Sequence, residues 1–163
     1  MSVSIGDRVP SATLRRLGPN GPEEVSTDQL FADKKVVLFA VPGAFTPACS
    51  DTHLPGFVEK AEDIKSQDID EIVCVAVNDP FVMNAWSKAA GVHDQVEMLS
   101  DGAGEFTQAM GLTADMKKVG LGMRSQRYAA IVEKGVIQDL AVDEMGELEK
   151  STAAQVLKKL KSS

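Results

Sequence analysis

Two short stretches of the chain are apolar at every position. Val36-Val-Leu-Phe-Ala-Val41 stops at Pro42-Gly43, and Ile72-Val-Cys-Val-Ala-Val77 stops at Asn78-Asp79-Pro80. Runs this short, rich in β-branched residues and without polar alternation, predict strands buried on both faces, as in a parallel sheet. Between them apolar residues fall at Leu54, Phe57, Val58, Ala61 and Ile64. That spacing marks one face of a helix over 47–66, with Pro55 kinking it or breaking its first turns. Phe81 to Ala90 reads as a further helix, closed by Gly91 as its C-terminal cap.

Val96 to Leu99 predicts a short strand, and Asp101 to Met110 a short helix before Gly111. Tyr128 to Val132 and Val136 to Val142 read as strands of a hairpin whose turn, Glu133-Lys-Gly135, carries glycine. A last helix is expected from Glu147 to Leu160. Its basic end, with Lys158, Lys159 and Lys161, suits the negative end of the helix dipole. Residues before 34 form an N-terminal extension, with Gly18 to Pro22 as a turn between short extended segments. The order of elements is that of an α/β protein on the thioredoxin-like plan: a central mixed sheet with flanking helices.

The 163 residues suit a single domain, 1–163. A hydrophobic fraction of 44% and a charged fraction of 25% exclude collagen-like, disordered and coiled-coil readings of the whole chain. The longest apolar runs are six residues, where a membrane span needs about 20, so no membrane association is expected. Seventeen basic against 24 acidic residues give a net charge of -7. That field repels phosphate backbones and anionic lipid, which argues against a nucleic-acid partner. Met1 to Asp7 carries no signal or transit pattern. The expected compartment is the cytoplasm, or an organelle if a transit peptide has been removed. Cys49 and Cys74, the two cysteines, are too few for a disulfide scaffold and suit a reducing compartment. With His53 and His93 they form no paired zinc-ligand element, so no metal site is expected. His93 reads as a loop residue. Trp86 and Tyr128 read as core or interface aromatics.

The chemistry concentrates in Val41-Pro-Gly-Ala-Phe-Thr-Pro-Ala-Cys49-Ser-Asp-Thr-His53. Thr46 suits a helix N-cap and Pro47 the first helical position, which puts Cys49 third in the helix. The first turn has backbone N–H groups without intrahelical partners and lies at the positive end of the dipole, so a negative sulfur is favoured there. The position is also the C-terminal end of a parallel strand, where α/β sheets place their chemistry. Pro42 and Pro47 stiffen the loop. The bland alternative is a small buried apolar thiol. His53, four residues after Cys49, shares its helix face if the turn is regular, and a Cys–His pair would suggest a hydrolase. No oxyanion or third-member candidate accompanies it, so His53 reads as a solvent-facing or packing residue.

Pro42, Thr46 and Cys49 match the Pro-x-x-x-Thr-x-x-Cys signature of the peroxiredoxins. The longer run from Val41 to Ser50, His53-Leu-Pro-Gly-Phe57 and Val77-Asn-Asp-Pro-Phe-Val82 resemble the type II (Prx5-like) branch, and the resemblance extends from Gly6 to about Val142. It implies a thioredoxin-like fold and an antioxidant thiol peroxidase acting on hydrogen peroxide and alkyl hydroperoxides. Cys49 would be the peroxidatic nucleophile and would become a sulfenic acid. Thr46 would hydrogen-bond thiolate and peroxide, and Pro42 would shield the pocket. The family's arginine near the start of the hairpin falls on Arg127, followed by Tyr128. Strand parity would turn Arg124 and Arg127 to opposite sides. Arg127 is therefore the expected cation, with Arg124 as a helper. No metal or organic cofactor is called for. Relatives pair as homodimers through loops near the site, where Phe45, Pro80 and Phe81 would make contacts.

Cys74 lies mid-strand, about 10 Å short of the end where Cys49 is expected, at ~3.3 Å per residue. A disulfide needs Cα atoms within roughly 7 Å. Cys74 therefore reads as a structural thiol, with a resolving role only if the structure unravels locally. Some type II relatives carry a resolving cysteine near the C-terminus, where this chain has Ser151 and Thr152. The expected reductant is thus an external thiol: glutathione with glutaredoxin, or thioredoxin. A redox sensor or chaperone-like protein using the same cysteine, and signalling by its oxidation, is the alternative. A dithiol oxidoreductase is disfavoured because position 46 is threonine.

Overall fold

The computed structural model describes residues 2–162. It begins with a hairpin of β1 (Thr13–Gly18) and β2 (Gly21–Ser26), then the short helix α1 (Thr27–Phe31) and β3 (Lys35–Val41). A helical stretch follows: Pro47 and Ala48, a π-turn over Cys49–His53, α2 (Leu54–Glu59) and, past a break at Lys60, α3 (Ala61–Lys65). Next come β4 (Glu71–Ala76), α4 (Pro80–Ala89), β5 (Glu97–Ser100) and α5 (Glu105–Met110). A small hairpin of β6 (Thr113–Met116) and β7 (Gly122–Ser125) precedes β8 (Tyr128–Glu133), β9 (Val136–Val142) and α6 (Ala153–Ser162).

Among the described residues the main sheet has seven strands in the order β2-β1-β5-β4-β3-β8-β9. Strands β3, β4 and β5 run parallel, and β1, β2, β8 and β9 close the sheet with antiparallel pairs. The chain is thus α/β with a thioredoxin-like mixed sheet and helices on both faces. The unbroken apolar run of β3 has its reason here. Val37, Phe39 and Val41 enter the core shared with α2, α3, α4 and α6, while Val36, Leu38 and Ala40 enter the core on the opposite face, with α1 and α5. Strands covered on both sides need no polar alternation.

Several boundaries depart from expectation for identifiable reasons. Pro55 does not break its helix. A proline ring clashes with the carbonyl four residues back, here that of Asp51, and the turn over Cys49–His53 widens so that the Leu54 N–H donates to the Cys49 carbonyl. The interruption falls at Lys60 instead. Asp101 is not helical: its buried carboxylate accepts from the N–H groups of Phe106 and Thr107 and from the Thr107 hydroxyl, and α5 starts at Glu105. The last helix begins at Ala153, not near Glu147, because the Asp143 carboxylate captures the N–H groups of Glu149, Lys150 and Ser151. Strand β4 ends at Ala76, leaving Val77 outside it. The hairpin turn is as expected, with Lys134 and Gly135 both left-handed at φ 50° and 81°.

Candidate active site

Strand β3 delivers the chain to Val41 and the Pro42–Thr46 loop. The Ala44 N–H donates to the Asn78 side chain at 2.9 Å, tying this loop to the one after β4. Phe45 takes a left-handed φ of 64°, uncommon for a residue with a Cβ, and is 53% exposed. The helix does start at Pro47, and the Ser50 N–H donates to the Thr46 carbonyl at 2.9 Å. The Thr46 hydroxyl, however, caps no helical N–H. It donates to the Gly43 carbonyl at 2.6 Å. Its proton is committed there, which leaves the oxygen's lone pairs free to accept.

Cys49 is fully buried. Nη2 of Arg127 donates to its Sγ at 3.2 Å. The sheet explains the meeting. In the antiparallel register of β3 and β8, Ala40 faces Tyr128, so the preceding Arg127 stands level with Val41, where the Cys49 loop leaves the sheet. The parity argument for choosing between the arginines does not apply: Arg124 belongs to β7 and Arg127 to the link before β8. Arg124 donates from Nε to the Leu121 carbonyl at 2.8 Å and sits beside Gly43, near the loop but in no described contact with the sulfur.

Pro42, Thr46 and Arg127 line a cavity of about 290 Å³. Its remaining wall is largely apolar, with Ala114, Met116, Leu121 and Met145. The hairpin of β6 and β7, which the hydrophobic pattern does not predict, supplies much of that wall.

Of the two expectations for His53, solvent-facing or packing, the second holds: the ring is buried, and both of its nitrogens also have polar partners. It is 2% exposed, with Nδ1 2.9 Å from Nη1 of Arg127 and Nε2 2.9 Å from the Ser151 carbonyl. Its ring lies against Phe39 and Phe57, with centroids at 5.1 and 5.6 Å. Burial lowers its pKa to about 4; the nearby Arg127 acts in the same direction, and the Ser151 bond and Asp143 only partly oppose it. The sequence did offer a signal, since His53 follows Cys49 by four residues, but the π-turn and the partner at 127 were beyond it.

Cys74 is also fully buried and is a free thiol, as is Cys49. Burial pushes its pKa well above the ordinary value, the neighbouring Cys49 adds to that, and Arg127 partly offsets it. Trp86 is core and donates to the Ser50 hydroxyl at 2.9 Å. Tyr128 is core, and His93 is exposed on a bend. Among the described residues no three His, Cys, Asp or Glu side chains are grouped to hold a metal, and no helix is long and apolar enough to cross a membrane.

Fold and site together define a class: a thioredoxin-like protein arranged around one sulfur at the mouth of a helix. Residues 4–157 match the Redoxin family. The chain is 49% identical over 163 residues to Peroxiredoxin-2E, chloroplastic, of Arabidopsis thaliana, covering 98% of this chain and 70% of that protein. It is 45% identical over 159 residues to Peroxiredoxin-2D of the same plant, covering 97% and 98%. Reduced Prx3 of Vibrio vulnificus in complex with H2O2 superposes with a TM-score of 0.93 at 45% identity, covering 97% of this chain and 99% of that one. Peroxiredoxin 5 of Alvinella pompejana superposes with a TM-score of 0.88 at 30% identity, covering 99% of each chain. The chain belongs to the peroxiredoxins, in the type II (Prx5-like) branch, and is a thiol-dependent peroxidase.

Proposed function

We propose that Cys49 is the peroxidatic cysteine, that Arg127, Thr46 and Pro42 serve it, and that an external thiol completes the cycle. The observation that carries this reading is the 3.2 Å contact from Arg127 to the Cys49 sulfur behind a cavity walled by Pro42 and Thr46. The thiolate of Cys49 attacks one oxygen of a hydroperoxide. A sulfur–oxygen bond forms as the oxygen–oxygen bond breaks, and the departing oxygen takes a proton and leaves as water or an alcohol. Sulfur is oxidised by two electrons to a sulfenic acid. The guanidinium sits where it favours the charged sulfur and stabilises negative charge on the departing oxygen. The Thr46 hydroxyl, already donating to Gly43, accepts from the peroxide O–H. Pro42 limits water.

Both hydrogen peroxide and alkyl hydroperoxides suit the site. The apolar stretch of wall at Met116, Leu121 and Met145 gives an alkyl chain a place to lie. A first external thiol displaces the sulfenic oxygen as water and forms a mixed disulfide; a second thiol cleaves it and restores Cys49. Glutathione with glutaredoxin, or thioredoxin, supplies these thiols. The raised pKa of Cys74 keeps it protonated, a poor resolving nucleophile. A homodimer would cover Phe45 and Phe81, which are 53% and 59% exposed, next to Pro80. The antioxidant role fits the cytoplasm or an organelle, and one close relative is named chloroplastic.

Rapid mixing with hydrogen peroxide tests the proposal. Cys49 is expected to react far faster than a free thiol at the same pH. A rate no faster than a free thiol would leave a sensor or structural role. A coupled NADPH assay with glutaredoxin or thioredoxin as donor identifies the reductant.

A further inference from the structure

We propose that Met145 is an oxidation site through which excess hydroperoxide narrows the range of substrates: its sulfoxide disfavours alkyl hydroperoxides and leaves the reduction of hydrogen peroxide in place. The inference rests on the peroxidase reading of Cys49, and it adds a second reacting sulfur to the same cavity.

The chain carries seven methionines, and their surroundings differ. Met83 and Met110 are buried, and Met98 packs against the core. Met123 is 48% exposed but lines a separate cavity of about 270 Å³ with Val77, Thr107 and Arg124. Met116 and Met145 line the cavity of Thr46 and Arg127. Met116 is half-buried, whereas Met145 is 69% exposed. A residue that is both cavity wall and open surface stands at the rim, where hydroperoxide enters from solvent.

The oxidant is the protein's own substrate. A lone pair of the Met145 sulfur attacks one oxygen of hydrogen peroxide. A sulfur–oxygen bond forms as the oxygen–oxygen bond breaks, and the other oxygen takes the proton of the attacked one and leaves as water. The sulfur is oxidised by two electrons and the peroxide is reduced by two. A thioether carries no negative charge, so it reacts more slowly than the Cys49 thiolate and is converted when peroxide persists. Methionine sulfoxide reductases reverse the change.

The consequence follows from what the wall is made of. Its apolar part is Ala114, Met116, Leu121 and Met145. Oxidation turns a flexible apolar side chain into a polar one. A sulfoxide that stays against the cavity makes the wall polar, and one that turns to water leaves the wall without that side chain. Either way an alkyl group loses apolar contact. The loop itself is not free to compensate. The Asp143 carboxylate holds the N–H groups of Glu149, Lys150 and Ser151, the Glu147 N–H donates to the Glu144 carbonyl at 2.9 Å, and Gly146 turns the chain at φ 85°. Hydrogen peroxide has no alkyl group to place, and the groups that meet its oxygens, Cys49, Thr46 and Arg127, are unchanged.

The test reads the ratio of single-turnover Cys49 oxidation rates with cumene hydroperoxide and with hydrogen peroxide. Met145→Gln puts a polar side chain at the rim that peroxide cannot oxidise. Its ratio should lie at least about threefold below that of Met145→Leu, the apolar reference. Wild-type protein is then treated with hydrogen peroxide while Cys49 is shielded as its methyl disulfide, and the shield is removed with dithiothreitol. Peptide mass spectrometry should find one added oxygen on Met145, the ratio should fall by a similar factor, and methionine sulfoxide reductases should restore it. The same treatment should not move the ratio of Met145→Leu, in which Met123 is still oxidised. An unmodified Met145 under conditions that oxidise Met123, an unchanged ratio in oxidised wild type or in Met145→Gln, or an equal fall in treated Met145→Leu would each overturn the inference. A wild-type protein that reduces neither hydroperoxide would instead reject the peroxidase reading of the site.

Discussion

Phe39 of β3 and Cys74 of β4 stand opposite each other in parallel register, two residues short of the Val41–Ala76 pair that ends the strands. Cys74 is thus held inside the sheet, and Cys49 sits beyond its end in the first helical turn. Cys74→Ser should leave the first oxidation of Cys49 intact and lower stability by about 1–3 kcal/mol, since a hydroxyl must find a partner in an apolar layer. Urea unfolding and single-turnover kinetics separate the two effects. Mass spectrometry after one equivalent of peroxide should show no quantitative Cys49–Cys74 disulfide; finding one would defeat the external-thiol cycle.

Cys49→Ser should abolish turnover outright. Arg127→Lys keeps a charge but cannot reach the sulfur and the histidine as a fork, so its oxidation rate should fall by at least about tenfold. Arg127→Met should lose more. A lysine variant as fast as wild type would show that charge alone suffices.

Stability should depend on pH through His53. Its pKa is about 4 in the folded protein against 6.5 for the free side chain. Between those values the unfolded chain binds the proton and the folded one does not, so stability is full above pH 6.5 and falls as the pH drops toward 4. The loss should reach about 2 kcal/mol by pH 5 and about 3 kcal/mol at its limit. Asp143 adds a loss of the same sign at lower pH. Burial by itself would raise its carboxyl, but hydrogen bonds from Ser151, Lys150 and Glu149 outweigh that and hold it below the ordinary value. Urea midpoints at pH 7, 6 and 5 should fall for wild type and stay flatter for His53→Phe. Parallel curves would refute the assignment.

Asp143→Asn replaces one accepting oxygen with an amide that faces donors. It should cost about 2–3 kcal/mol and slow peroxide reduction in the molecules that remain folded, because the Ser151 anchor loosens. A stability loss with unchanged turnover per folded molecule would confine Asp143 to a structural part.

Gly43→Ala would set a methyl 3.2 Å from both Nη1 of Arg124 and Cγ2 of Thr46. The arginine can yield, but Thr46 moves only with its loop. The variant should fold, and its oxidation rate should drop severalfold. Thermal melts and stopped-flow traces would check both halves.

The sequence was most readable where one local rule decides. Six apolar residues before a Pro-Gly stop define β3, Lys134-Gly135 defines the hairpin turn, and Gly91 closes α4, whose start lies one residue earlier than expected because the Asp79 carboxylate caps it, accepting from Val82. It was least readable where a distant group competes for the backbone. Asp101 and Asp143 each draw amides away from helices that periodicity alone would extend. Strands β6 and β7 contain little that favours a strand over a loop, and they pair chiefly with each other. In the site, the signature around Cys49 is contiguous and therefore legible. Arg127 is legible only through the family resemblance, since Arg124 and Arg127 do not share a strand. His53 is recognisable in the sequence only as a neighbour of Cys49 on the helix, because its partners, at 127 and 151, meet it only through the sheet register and the Asp143 loop.

The sulfur of Cys49 belongs to a residue with no exposed surface. The cavity beside it is walled by Thr46 and Arg127, and a protein thiol cannot approach in line with a bond it must break while that wall stands. In the proposed cycle, then, oxidation and repair take place in two shapes of the same segment. The π-turn over Cys49–His53, wider than an α-helical turn, carries the sulfur itself, so any such change of shape has to run through it.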